Sequence, residues 1–314
     1  MNLLWLSVLS GLIGALVGGL LVLGGGALGA WYAQRLERQH EREKRIKDAL
    51  TWAIRGRRNG FRHVDLRGAD LRGVDWGPAE GGGSGADLAY ADLRKSYLQE
   101  ARLEKADLTG ADLQRADLSN ARLTGACLQR AGLHEANLQD SDLYGSDLSF
   151  ADLHWAGLVG ANLQQAKLNQ ADLRRANLVG ANLREADLSR TRLQGAYLGR
   201  ADLRSADLGF ADLRWADLSF ADLRSANLEG ADLQGADLRH ANLLEANLNF
   251  TELREAELEG ATMPDGSQHK AKPRQRSGWR SLSIAIRSAL ARRSASVHTA
   301  RRRPPAEETA GNET

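Results

Sequence analysis

From Leu88 to Leu258 every fifth residue is leucine, thirty-five in succession, and Met263 takes the next place. Two residues before each of these thirty-six positions stands alanine in thirty-one cases, and the exceptions, Ser96, Ser141, Ser146, Thr191 and Thr251, are also small. Asp or Asn most often precedes the leucine, while Gly, Ser, Gln and Arg dominate the two places after it. A straight α-helix cannot use this period, because successive leucines would sit about 140° apart and no face would be apolar. A straight strand fails as well, since five is odd and alternate leucines would point to opposite faces. Alanine and leucine two apart do share one face of a short extended segment. The chain must then turn so that the next pair points inward again. The pattern predicts a solenoid with a Leu/Ala interior and a polar exterior.

The unit reads A(D/N)LXX, as in Ala201-Asp202-Leu203-Arg204-Ser205 and Ala161-Asn162-Leu163-Gln164-Gln165. It resembles the pentapeptide-repeat family, densely over 86–263 and loosely over 61–76. The resemblance implies an all-β fold, a right-handed quadrilateral β-helix with four pentapeptides to a coil. Within the sequence, Val159-Gly160-Ala161-Asn162-Leu163 recurs twenty residues on as Val179-Gly180-Ala181-Asn182-Leu183. The pairs Phe150/Phe210 and Trp155/Trp215, sixty apart, fit coils of fifteen as well as coils of twenty. Nine coils at the spacing of β-strands make a rod about 43 Å long. Phe61, Leu66, Leu71 and Trp76 keep the spacing in another phase, separated from Leu88 by the extra residues Ala79–Gly85. Residues 61–85 are therefore expected to form a first coil, closed by its aromatics, and a Gly-rich insert, giving nine to ten coils in all. Met263-Pro264-Asp265-Gly266 ends the pattern with a turn.

The flanks have a different chemistry. Residues 3–34 hold no charged side chain, with Trp5 near one end and Trp31 and Tyr32 near the other. That length of apolar helix spans a bilayer, and the tryptophans sit where interfacial anchors belong. Residues 1–33 are expected to be a transmembrane anchor. Residues 34–60 read as a basic juxtamembrane helix that the positive-inside rule keeps on the cytoplasmic side with the repeats. A cleaved signal peptide fits less well, because the basic cluster follows the apolar run instead of preceding it. Small residues four apart, Ser10, Gly14 and Gly18, would allow close helix contact in lipid, so self-association through this span or through the rod ends is open. Residues 264–314 form a basic tail, largely without core-forming sequence. Near 279–291, Trp279, Leu282, Ile286 and Leu290 share one helical face among arginines and serines, as a membrane-surface helix would have them.

The formal net charge of +2 hides a segregation: +5 over 31–60, −9 over 86–262 and +7 over 263–314. Sorted by coils of twenty, the four faces starting at Leu88, Leu93, Leu98 and Leu103 carry −3, −1, −5 and 0. The family resemblance brings one functional expectation, since some members resemble duplex DNA and engage type II topoisomerases. Such mimicry needs an unneutralised acidic face, whereas here Asp172 is followed by Arg174 and Asp212 by Arg214. On the Leu98 face the middle coils are uncharged instead, with Val159, Val179 and Tyr197, and Phe150, Trp155, Phe210 and Trp215 are placed at nearby corners. These seven residues are the candidate surface for a protein partner. His134 and His154 share a column, but two imidazoles without a third ligand do not make a metal site. The one cysteine, Cys127, excludes an intrachain disulfide. There is no phosphate-binding glycine loop, no His-Glu-x-x-His run and no nucleophile–base set, so no cofactor, metal or catalytic residue is assigned. The reading is a non-enzymatic, membrane-anchored scaffold with an unidentified protein partner; nucleic acid is not expected as a ligand.

Overall fold

The computed structural model describes residues 61–78 and 82–269, together with Gln34, Arg35 and Glu37, which are helical. The expected anchor over 1–33, nearly all of the stalk over 34–60 and the tail with Trp279, Leu282, Ile286 and Leu290 lie outside the described residues. Among the described residues no helix is long and apolar enough to cross a membrane.

The repeat closes in coils of twenty. Asp87 bridges Asp107 in parallel, Asp92 bridges Asp112, and the offset holds side by side up to Asn242 with Thr262. The sixty-residue aromatic spacings are therefore three coils. In the first coil the offset is 27, from Asp65 to Asp92, Asp70 to Tyr97 and Asp75 to Arg102. The difference of seven is the insert Ala79–Gly85, which leaves the register of the sides intact.

Each side is pared to one bridged residue between two buried ones. The Leu88 N–H donates to the Asp107 carbonyl (2.7 Å) and the Asp107 N–H donates back to the Ala86 carbonyl (2.9 Å). The corner closes when the Ala91 N–H donates to the Leu88 carbonyl (3.0 Å), a bond repeated at nearly every turn. From Leu88 to Leu243 the leucines are fully buried, as are the residues two before them, including Ser96, Ser141, Ser146 and Thr191. Those hydroxyls are satisfied locally: Ser96 Oγ donates to the Leu93 carbonyl (2.7 Å) and Thr191 Oγ1 to that of Leu188 (2.6 Å).

The two ends differ. Phe61, Leu66, Leu71 and Trp76 are buried, with the Phe61 and Trp76 rings 5.3 Å apart, as a closing aromatic layer should be. At the other end Leu248, Leu253, Leu258 and Met263 are only partly buried. There the chain turns at Met263-Pro264-Asp265-Gly266 and lays Gln268 antiparallel on Thr262, covering only the last side.

Candidate interaction surface

The aspartates and asparagines before each leucine are occupied by the fold. Asp172 Oδ1 accepts the backbone N–H of Arg174 (3.2 Å), an Asx-type contact across two residues that fixes the start of the corner. The same carboxylate takes a forked pair from the Arg174 guanidinium, 2.8 and 2.6 Å. Asp92 with Arg94, Asp212 with Arg214 and Asp222 with Arg224 repeat the arrangement. Some arginines also reach the next coil, as Arg94 does to Asp112 (3.3 Å) and Arg214 to Asp232 (3.5 Å). The Arg204 guanidinium holds the Asp202 carboxyl below the usual carboxylate range against the opposing effect of partial burial. Asparagines stack instead: the Asn182 side-chain amide donates to Asn162 (3.1 Å), which donates to Asp142 (2.8 Å). Part of the acidic surface is thus held in short ladders of carboxylate with arginine or amide.

The corners hold what the sequence did not disclose. Every residue whose number is a multiple of five from 90 to 260 has a positive φ, and most are not glycine. Phe150, Trp155, Phe210, Trp215 and Phe220 all sit there, at φ 57–62°, with their rings roughly half exposed. A left-handed conformation costs a residue with a side chain about 1–2 kcal/mol. The rings recover contact from the neighbouring coils. Arg130 lies over Phe150 (5.7 Å), Arg190 over Phe210 (5.7 Å) and Arg175 over Trp155 (5.0 Å), while Phe220 stacks on His240 at 4.8 Å. Where the next coil offers glycine, the ring lies in the space a side chain would take: a Cβ on Gly230 would meet Phe210 Cε1 at 2.6 Å.

Of the seven predicted surface residues, the structure gathers five. Val179 is exposed on the Leu98 face, Val159 and Tyr197 are half-buried beside it, and Trp155 and Trp215 form the corner column along one edge. Phe150 and Phe210 do not join them; their column is one corner earlier, across the Leu93 face, with Tyr90 and Phe250. Phe220 at the opposite edge of the Leu98 face was missed, as was Tyr97 on that face, half exposed. His134 and His154 are edge to face at 5.5 Å, and burial followed by Arg174 pushes the His154 imidazole down. Among the described residues no group of three or more His, Cys, Asp or Glu could hold a metal ion. Cys127 takes an outward aspartate position and lies 3.2 Å from Thr109 Oγ1.

A sequence model of the family described as pentapeptide repeats matches residues 86–125, 126–163, 156–195, 181–219, 196–235 and 221–260. The chain belongs to the pentapeptide-repeat family. Among solved structures, this pentapeptide-repeat protein is similar to HetL from the cyanobacterium Nostoc sp. strain PCC 7120, described as involved in heterocyst differentiation regulation. The identity is 37%, over 70% of this chain and 98% of that one, with a TM-score of 0.51. Another Nostoc pentapeptide-repeat protein is 39% identical over 32% of this chain and 78% of its own, with a TM-score of 0.22. A trypsin-treated form of QnrB1, a plasmid-mediated fluoroquinolone resistance protein, is 22% identical over 55% of this chain and 84% of its own, with a TM-score of 0.40. No curated protein matches the chain.

Proposed function

We propose that this pentapeptide-repeat protein is a non-catalytic interaction rod held at a membrane. Residues 1–33 are the anchor, 34–60 the basic stalk on the cytoplasmic side, and the Leu98 face is the docking surface for a protein. The observation that carries the reading is the contrast around the coil. Asp172 and Asp212 on the Leu93 face and Asp222 on the Leu103 face are tied into arginine contacts, while the middle coils of the otherwise acidic Leu98 face present Val159, Val179 and Tyr197 between aromatic corners. Rigid, half-exposed aromatics beside an uncharged patch are what protein interfaces use as anchors. The other reading, mimicry of DNA toward a type II topoisomerase, needs free acidic columns. Here Asp–Arg pairs interrupt the Leu93 and Leu103 columns.

The test uses the full chain in its native membranes, with a photoreactive residue in place of Val179 or, as a control, of Lys167 on the Leu88 face. The expected result is a protein adduct at position 179 that survives carbonate washing of the membranes and is lost with Trp155→Ser plus Trp215→Ser. Equal labelling at 167 overturns the docking face, and loss of the chain on washing overturns the anchor.

A further inference from the structure

The aromatic corners that the Leu98 face does not gather help to frame another face. Phe150 and Trp155 stand at the two edges of the Leu93 face on one coil, and Phe210 and Trp215 stand at the same edges three coils on. At about 4.8 Å per coil, the frame is about 14 Å long. Inside it lie the coils 170–175 and 190–195, with Arg174, Arg175, Arg190 and Arg192 against Asp172 alone. That is a local formal charge of +3 on a rod that carries −9 over 86–262. On the same face residues 150–155 carry −1, residues 210–215 are neutral and residues 230–235 carry −1. The excess of cation is confined to two coils.

Two of these arginines share one carboxylate: Arg174 holds Asp172 at 2.6 Å and Arg192 reaches it at 3.5 Å. Arg175 and Arg190 have no carboxylate partner among the described residues and lie over rings instead, Arg175 on Trp155 (5.0 Å) and Arg190 on Phe210 (5.7 Å). A guanidinium laid on a ring keeps the N–H groups of its rim for an acceptor. The rings are engaged in turn. Phe210 lies between Arg190 and Gly230, Arg130 covers Phe150, and Trp215 lies over Gly235. Each ring spends a face on a neighbouring coil and turns its edge outward, which suits apolar side chains better than stacked bases.

We propose that this framed part of the Leu93 face binds a short acidic peptide segment of a partner protein, extended along the rod. An extended chain advances about 3.4 Å per residue and turns every second side chain to the same side. Its residues i and i+4 are then about 14 Å apart, the length of the frame, and residue i+2 falls over the arginines. The face therefore selects an acidic residue between two apolar ones, each two places away. The apolar side chains meet ring edges at both ends, and the carboxylate between them takes charge-assisted hydrogen bonds from arginine. A nucleic-acid strand or an anionic bilayer is a poorer occupant. Either runs past the two basic coils onto coils where the face is neutral or acidic. The inference does not rest on docking at the Leu98 face, with which this site shares only the Trp155 and Trp215 edge.

The experiment places p-benzoylphenylalanine at position 170 of the full chain, in the column between Phe150 and Arg190 and away from the Leu98 face. The probe is a fluorescent peptide, Gly-Leu-Asp-Glu-Asp-Leu-Gly. Irradiation is expected to join it to position 170, and Arg190→Gln plus Arg192→Gln should cut the adduct at least about tenfold through lost charge-assisted hydrogen bonds. Both arginines are exposed, so melting followed by circular dichroism should change little. On the unaltered protein, a peptide with Asn-Gln-Asn in place of its acids, or with serine in place of its leucines, should label far less. The same photoreactive residue at Ser205, on a corner that the Leu93 face does not touch, should give background only. Oligothymidylate and phosphatidylglycerol vesicles should compete less well than an equal charge of unlabelled peptide. No adduct at 170, equal labelling by the Asn-Gln-Asn peptide, indifference to the two arginines, or stronger competition by the oligonucleotide or the vesicles would overturn the proposal.

Discussion

A single pentapeptide divides its labour by residue. Leu163 is fully buried between leucines of the coils above and below, so Leu163→Asp puts a carboxylate where neither water nor a partner can reach it. Asp202 faces outward and spends one oxygen on the Arg204 N–H (3.3 Å), a bond asparagine also accepts. Leu163→Asp is therefore expected to abolish cooperative melting followed by circular dichroism, and Asp202→Asn to move the midpoint only slightly. Equal effects would mean that inside and outside are misassigned. The ion pairs set the acid limit. Arg204 and Arg72 depress Asp202 and Asp70, so folded carboxylates bind protons less readily than unfolded ones, near 3.9. Their contribution is complete above that range and is lost as pH falls through the folded values. His154, depressed by burial, follows the same sign at higher pH, losing stability below about 6.5. Thermal midpoints are expected to show a small step there, removed by His154→Gln, and a main fall below about pH 4.

At the scale of the coil, the corner is where side chain and backbone compete. Gly230 holds a left-handed corner beneath the Phe210 ring, whereas Gly180 holds one with nothing within 4 Å of an added Cβ. Gly180→Ala is expected to cost about 1–2 kcal/mol for the backbone alone. Gly230→Ala should cost more, and the excess should vanish in a Phe210→Ala background, a coupling that a double-mutant cycle reads directly. If the two glycines respond alike, the ring does not occupy that space. The coil was legible in sequence because leucine at every fifth place fits neither a straight helix nor a straight strand, whereas the twenty-residue period rested on the family resemblance, with one Val-Gly-Ala-Asn-Leu block repeating at that distance. The corner conformation was not legible. Glycine recurs at multiples of five, but tryptophan and phenylalanine at the same places argue for an ordinary backbone, and only stacking on the next coil reconciles them. The pairing of Asp172 with Arg174 and of Asp212 with Arg214 was legible from spacing, but the backbone N–H that each carboxylate also accepts was not, because a turn-capping carboxylate looks like any other in a string of letters. Phe150 and Trp155 were grouped as neighbouring corners; around a four-sided coil those corners are a quarter turn apart, and only the Trp155 corner borders the Leu98 face.

For the whole molecule, the interior and the exterior obey different symmetries. Every side sends the same leucine and the same small residue inward, so the core does not distinguish one side from the next. The outside distinguishes all four: Trp155 and Trp215 share a corner only because sixty residues is a whole number of coils. Chain length therefore behaves as an angular setting. Removing one pentapeptide between Trp155 and Trp215 would leave every leucine with a place in the core. It would also rotate everything downstream by ninety degrees and send Trp215 to a different face. Removing four would shorten the rod by one layer, about 4.8 Å, and restore the alignment. The seven extra residues after Trp76 already show that added chain can be absorbed: the sides before and after them stay in register at an offset of 27. Growth or shrinkage of such a rod is thus a combination lock with four positions. The core opens at any of them; the surface opens at one.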